Sequence, residues 1–174
     1  LLVITAFLCS VTLADEPKNN FKEFYAICEK AGGTFNGYVL PSGRDYYRFF
    51  NFPKSADDRF LKDAPTPNFE FGLLLTGTTV TDNGMKEIAR FKTIDELDIS
   101  KTTVGDAGLK EIAKLTKLHT LSLAETKVTD DGLKELLGLE NLKYLDLSHS
   151  GVKGKGLKQL SGLKNLTNLV INNA

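Results

Sequence analysis

A right-handed α/β solenoid, with parallel strands on a concave face and short helices on the convex face, is the fold class this sequence predicts. Three observations predict it. Leu73, Leu97, Leu121, Leu145 and Leu169 recur every 24 residues, in step with Leu75, Ile99, Leu123, Leu147 and Ile171. A period in the 20s marks units that cannot bury their apolar faces alone and must stack. Inside each unit the apolar spacing switches: Leu121 and Leu123 alternate with polar neighbours as in a strand, whereas Leu133, Leu136 and Leu137 follow helical spacing. The composition also changes near residue 72, since nine Phe and four Tyr lie between Asp15 and Phe71, and only Phe91 and Tyr144 follow.

Taken in order, residues 1–14 (LLVITAFLCSVTLA) are uncharged and almost wholly apolar. Fourteen residues are too few to span a hydrocarbon core, which takes about 20. With Thr12 and Ala14 before the polar Asp15-Glu16-Pro17, the stretch reads as the apolar core of a secretory signal without its Met and basic leader. Bulky Ala6-Phe7-Leu8 ahead of Cys9 speaks against a lipoprotein signal, and a buried N-terminal strand is the alternative. Export places the chain outside the cell, in the periplasm or in the cell envelope. Cleavage would leave Cys28 as the one cysteine, on the apolar face of a helix, as an inert core thiol.

Residues 15–68 read as an aromatic cap. Asn20 to Ala31 carries Phe21, Phe24, Tyr25 and Cys28 at helical spacing and meets Gly32-Gly33, a helix stop. Tyr46 to Phe52 and Phe69 to Leu75 read as strands, and Ser55 to Leu61 as a degenerate turn and helix start. A solenoid needs its end leucines covered, and an aromatic unit does that.

Residues 69–174 are the repeats. Val80, Val104, Val128 and Val152 are in register, as are Gly84, Gly108, Gly132 and Gly156. Each glycine stands one residue before the first buried helical side chain, where a missing Cβ would let the helix start lie close against the sheet. Thr129 or Asp130 is placed to cap the helix of its own unit. Asp82/Lys86, Asp106/Lys110 and Asp130/Lys134 are spaced for i, i+4 pairs worth about 0.2–0.5 kcal/mol each. The last unit stops at Ala174, where Thr78 stands in the first, and the sequence reads as a fragment at both ends.

Ile94-x-x-Leu97-x-Ile99-x-x-Thr102-x-Val104 resembles the leucine-rich repeat pattern, with Ile at its first leucine position and Thr where Asn or Cys usually stands. The Val-Thr-Asp-x-Gly-Leu-Lys version is similar to secreted bacterial repeat proteins, planctomycete ones in particular, and to the cysteine-containing repeats of F-box proteins. The resemblance implies a protein-binding module. At the consensus turn position, Thr78, Thr102, Thr126 and Ser150 are expected to be buried, with hydroxyls bonded to backbone of the adjacent coil.

Other functions are disfavoured. With 22 basic and 22 acidic residues the chain lacks the positive field that nucleic-acid binding uses. Asp146, Ser148 and His149 have the residue types of a hydrolase triad, but four consecutive positions on one strand cannot form a relay. Gly151-Val152-Lys153-Gly154-Lys155-Gly156 resembles a phosphate cradle but lacks the P-loop spacing. His119 and His149 fall at different points of their units without a Cys or acidic cluster, so no metal is expected. Tyr46-Tyr47-Arg48-Phe49-Phe50 lacks the glycine-punctuated pattern of an RNA-binding strand and reads as buried cap aromatics. No cofactor is expected, and no membrane contact beyond the signal.

The candidate site is the concave strand face: Glu96, Asp98, Lys101, Thr120, Ser122, Glu125, Tyr144, Asp146, His149 and Asn168. A polar, acid-leaning face with one tyrosine suits a protein partner. Five parallel strands at about 4.8 Å spacing and about 10 Å length offer on the order of 240 Å². A standard interface takes roughly 800 Å² per partner, so loops or neighbouring units must contribute. The expectation is a non-catalytic, exported, protein-binding module. The alternative is the recognition segment of a larger enzyme, a kinase or ubiquitin ligase, whose catalytic part lies elsewhere.

Overall fold

The computed structural model of the chain describes residues 20–39 and 46–172, so the expected signal at 1–14 lies outside the described residues. One seven-stranded sheet runs in chain order. Strands β1 (Thr34–Val39) and β2 (Tyr46–Asn51) form an antiparallel pair. From β2 onward every pairing is parallel: β3 (Phe71–Leu74), β4 (Ile94–Asp98), β5 (Thr120–Ser122), β6 (Tyr144–Asp146) and β7 (Asn168–Val170). Six strands are therefore parallel where the leucine register counts five, because β2 of the aromatic segment joins the same ladder. Parallel neighbours require crossovers, and each crossover carries a helix.

The helices are α1 (Phe21–Lys30), α2 (Asp58–Lys62), α3 (Asp82–Ile88) and α4 (Asp106–Ile112). The next two coils depart from expectation: Gly132–Gly138 and Leu157–Gly162 are 3-10 helices. At three residues per turn Leu133, Leu136 and Leu139 share one face and are buried, which turns Leu137 outward to 44% exposure.

The core is a single file of inward side chains. Leu73, Leu97, Leu121 and Leu145 are fully buried in direct register across the sheet. Burying each contributes about 1.5–3 kcal/mol. Leu169, expected to be fifth in this stack, is 41% exposed, since no described element covers its outer side.

At the other end the aromatics close the stack. Phe24 meets Phe50 edge-on at 4.9 Å and lies 5.2 Å from Phe71 and 5.6 Å from Phe91. Reciprocal bonds fix the start of α1 to the loop ahead of β3. Asn20 N donates to Asn68 Oδ1 at 3.1 Å, Asn68 N donates to Asn20 Oδ1 at 3.1 Å, and Asn20 Nδ2 donates to Thr66 O at 2.7 Å. Gly32 ends α1 at φ +79°, a conformation glycine adopts without strain.

An aspartate in each coil latches the next one. Asp58 accepts from Thr81 N at 2.8 Å and Thr81 Oγ1 at 2.6 Å. Asp82 Oδ1 accepts from Gly105 N at 2.8 Å and Gly108 N at 3.0 Å. Asp106 accepts from Thr129 N at 2.8 Å and Thr129 Oγ1 at 2.7 Å. Asp130 accepts from Gly156 N at 2.8 Å and Lys153 N at 3.2 Å. These carboxylates reach forward 23 or 26 residues, not to the lysine four places on; Lys86 Nζ instead donates to Asn83 Oδ1. The glycine row makes room for them: a Cβ on Gly108 would stand 2.6 Å from Asp82 Oδ1, and one on Gly132 would overlap Asp106 Oδ1.

The turn hydroxyls are placed as expected in one respect and not in another. Thr78, Thr102 and Thr126 are buried, and Ser150 is half-buried. Their hydroxyls donate to Leu75 O, Ile99 O, Leu123 O and Leu147 O at 2.6–2.7 Å. Each acceptor lies three residues back in the same coil, so the hydroxyl closes its own turn instead of bridging to the neighbour.

Candidate functional site

With the leucines turned inward, their strand neighbours face outward on the side away from the helices. Strand register sorts all ten candidate residues into three rows. Glu96, Thr120, Tyr144 and Asn168 are consecutive partners across β4 to β7. Asp98, Ser122 and Asp146 form the second row, continued by Val170. Lys101, Glu125 and His149 form the third, just past the strand ends.

The first two rows, apart from the exposed Asn168, are half-buried, so the face between the leucine columns is wet, as the alternation requires. Asp98 and Asp146 are partly committed. Asp98 Oδ1 accepts from Ser100 N at 2.8 Å and its Oδ2 from Thr76 Oγ1 at 2.7 Å. Asp146 Oδ1 accepts from Ser148 N at 2.8 Å, which leaves Oδ2 for a partner. Glu96 is half-buried with Asp95 and Asp98 close by. Desolvation first, then the two neighbouring charges, push its carboxyl above the usual range.

The third row is built on unusual backbone. Lys101, Glu125 and His149 have φ of 58°, 55° and 53°, and Gly77 holds the equivalent place at 67°. This left-handed conformation aims each N–H at the next coil: Lys101 N to Ala124 O, Glu125 N to Ser148 O, His149 N to Asn172 O, all at 2.8–2.9 Å. It costs a non-glycine residue about 1–2 kcal/mol. The side chains are exposed, and Lys101 Nζ pairs with Glu125 Oε1 at 3.3 Å.

One contributor to this face was missed. Phe50 is buried as expected of the cap aromatics, but Phe49 points the other way. Its ring lies over Gly72, where a Cβ would stand 2.5 Å from Phe49 Cδ1. The ring is half-buried and extends the face to β2. Strand alternation from an inward Phe50 is the signal that finds it.

The motifs set aside on sequence fall outside any reactive geometry. Ser148 is buried and its Oγ accepts from Asn172 N at 3.2 Å, whereas His149 turns outward. The Lys153–Gly156 cradle already holds an anion, the Asp130 carboxylate. Those N–H groups, Gly156 first, hold Asp130 below the usual carboxylate range. Cys28 is buried, and desolvation pushes its thiol up to about 12. Among the described residues, no group of three or more His, Cys, Asp or Glu could hold a metal ion, and no helix is long and apolar enough to cross a membrane.

A family model described as Leucine Rich repeat matches residues 92–113, 114–137 and 138–161. No curated protein matches the chain. Among solved structures it is similar to internalin C2 from Listeria monocytogenes, at 23% identity and a TM-score of 0.47, over 72% of this chain and 62% of that one. A second internalin of that bacterium, inlF, gives 20% and 0.40 over 60% and 36%. The LRR ectodomain of the receptor kinase SOBIR1 from Arabidopsis thaliana gives 14% and 0.48 over 91% and 97%. The chain thus spans less than two thirds of either internalin structure. Three consecutive matched units, laid on coils whose leucines, glycines and latching aspartates all repeat at 24 residues, identify residues 92–161 as leucine-rich repeats.

Proposed function

We propose that the chain is a non-catalytic module that binds a protein partner through the open strand face and is exported to do so. The observation that carries this reading is the alignment of ten polar or aromatic side chains in three rows on one solvated face. The opposite faces of β4, β5 and β6 are fully committed to the core. Tyr144, half-buried at the centre of its row, is the natural anchor, because aromatic side chains concentrate binding energy. Six parallel strands at about 4.8 Å give a face about 29 Å wide, so a standard interface also draws in the Lys101–Glu125–His149 row and Phe49. The apolar, uncharged opening from Leu1 to Ala14 supports export.

Photo-crosslinking tests the reading. A photoreactive phenylalanine at position 144 of the full chain, exposed to the proteins of its native source, is expected to trap one partner. The same group at Lys110 on the helical side should trap none. Capture from position 110 alone would overturn the assignment of the face.

A further inference from the structure

We infer that the partner protein presents a basic side chain to the open strand face, where Asp146 receives it beside the Tyr144 ring. This rests on the reading of that face as the binding site and names the chemistry of what it binds.

The two rows of the face are one-sidedly charged. Strand register carries the first row from Phe49 to Tyr144 and the second from Asn51 to Asp146. These ten positions hold three carboxylates, Glu96, Asp98 and Asp146, and no Lys, Arg or His. The strands that carry them, β2 to β6, are each paired on both sides. Past the strand ends, Lys101 and Glu125 balance each other. Glu96 feels the lack of positive charge: burial first, and then Asp95 and Asp98, push its carboxyl up. A cation arriving on the face relieves that repulsion.

Within this field Asp146 is the open carboxylate, and a departure from the repeat leaves it so. Asp98 is capped twice: Ser100 N donates to its Oδ1 at 2.8 Å and Thr76 Oγ1 to its Oδ2 at 2.7 Å. Asp146, two units on, keeps the first bond, from Ser148 N at 2.8 Å. It loses the second, because Ala124 stands where the earlier coil has Thr76. Among the described residues no donor reaches Asp146 Oδ2. Tyr144 stands two residues back on the same strand face, about 6.7 Å along it. A guanidinium can donate to Oδ2 and lie against that ring at once. An acidic occupant would meet three like charges, and an apolar one would strip Oδ2 of water with nothing in return.

Amide NMR of the full chain with three probe peptides tests this. The peptides are identical except at one position, which holds Arg, citrulline or Glu. The Arg peptide should shift the amides of Tyr144 and Asp146, and the citrulline peptide, uncharged but of the same shape, should bind about tenfold more weakly. Asp146→Asn, which keeps an acceptor for Ser148 N, should abolish that difference. Ala124→Thr leaves every charge in place but restores the missing hydroxyl, and should weaken the Arg peptide roughly threefold. No binding of the Arg peptide, equal binding of the citrulline peptide, tighter binding of the Glu peptide, or indifference to both substitutions would each overturn the inference. Equal binding with shifts along β4 to β6 would sink the basic partner and leave the face standing. Shifts confined to α3 and α4 would refute the face as well.

Discussion

Substituting Gly132 by Ala should break the contact between two coils, and the damage should vanish when Asp106 is already gone. The added Cβ would overlap Asp106 Oδ1 and stand 2.7 Å from its Cγ, so the carboxylate has to leave. It then gives up the bonds from Thr129 N and Thr129 Oγ1. At a partly exposed site those are worth about 1 kcal/mol each. Against this loss, Gly to Ala in a helical turn gains about 0.5–1 kcal/mol. Gly132→Ala alone should therefore destabilise by about 1–1.5 kcal/mol, and Asp106→Ala alone by about 2 kcal/mol. In the Asp106→Ala background the carboxylate is absent, so Gly132→Ala should be neutral or slightly stabilising. The cycle predicts a coupling of about 2 kcal/mol between residues 26 positions apart. Urea denaturation of the four proteins, followed by circular dichroism, measures it. Additive effects would mean that the glycine row does not exist to seat the aspartates.

Four further outcomes are expected. Thr102→Val should cost about 1–2 kcal/mol, because Ile99 O loses a buried donor, whereas exposed Thr103→Val should change little in the same denaturation assay. Glu125→Val should destabilise by about 1–2 kcal/mol and Glu125→Asn by less, since Asn tolerates the left-handed region and a β-branched residue does not; thermal unfolding of the pair shows it. Asp130 is held below its ordinary range on folding, so its contribution is present above that range and is lost as pH falls through the lowered value. Asp130→Asn should flatten the acid limb of a stability–pH profile, and Glu96→Gln, where the shift is upward, should raise stability at neutral pH. Cys28, pushed up to about 12, should resist iodoacetamide at neutral pH until urea unfolds the chain, as mass spectrometry would report.

What the sequence made legible was whatever repeats along the chain. The leucine columns, the strand face and the aromatic cap follow from register and alternation, and all ten face residues fall into rows for that reason. What it hid depends on neighbours in space. Asp82, Asp106 and Asp130 sit four residues before lysines, and local helical geometry points to those lysines; only the stacked coil reveals the N–H groups they serve. Thr102 erred in the opposite direction, assigned to the neighbouring coil when the acceptor three residues back was nearer. The 3-10 turns were invisible because spacing such as Leu133, Leu136 and Leu139 suits either helix type. Leu169 obeys the pattern of its column and still lies partly exposed, since burial depends on having a coil on both sides.

The latches also bear on how such a chain changes length over evolution. Each aspartate speaks only to the coil after it, through groups that recur every 24 residues. Excising one whole unit brings Asp82 against the N–H of Thr129 and the slot at Gly132, chemistry that Asp106 already uses there. Duplication or loss of a unit that carries its aspartate thus leaves the remaining junctions matched. A change of one residue more or less throws aspartate, glycine and leucine out of step together. Selection can therefore lengthen or shorten the array in whole coils, and redraw the outward rows freely, without renegotiating the scaffold.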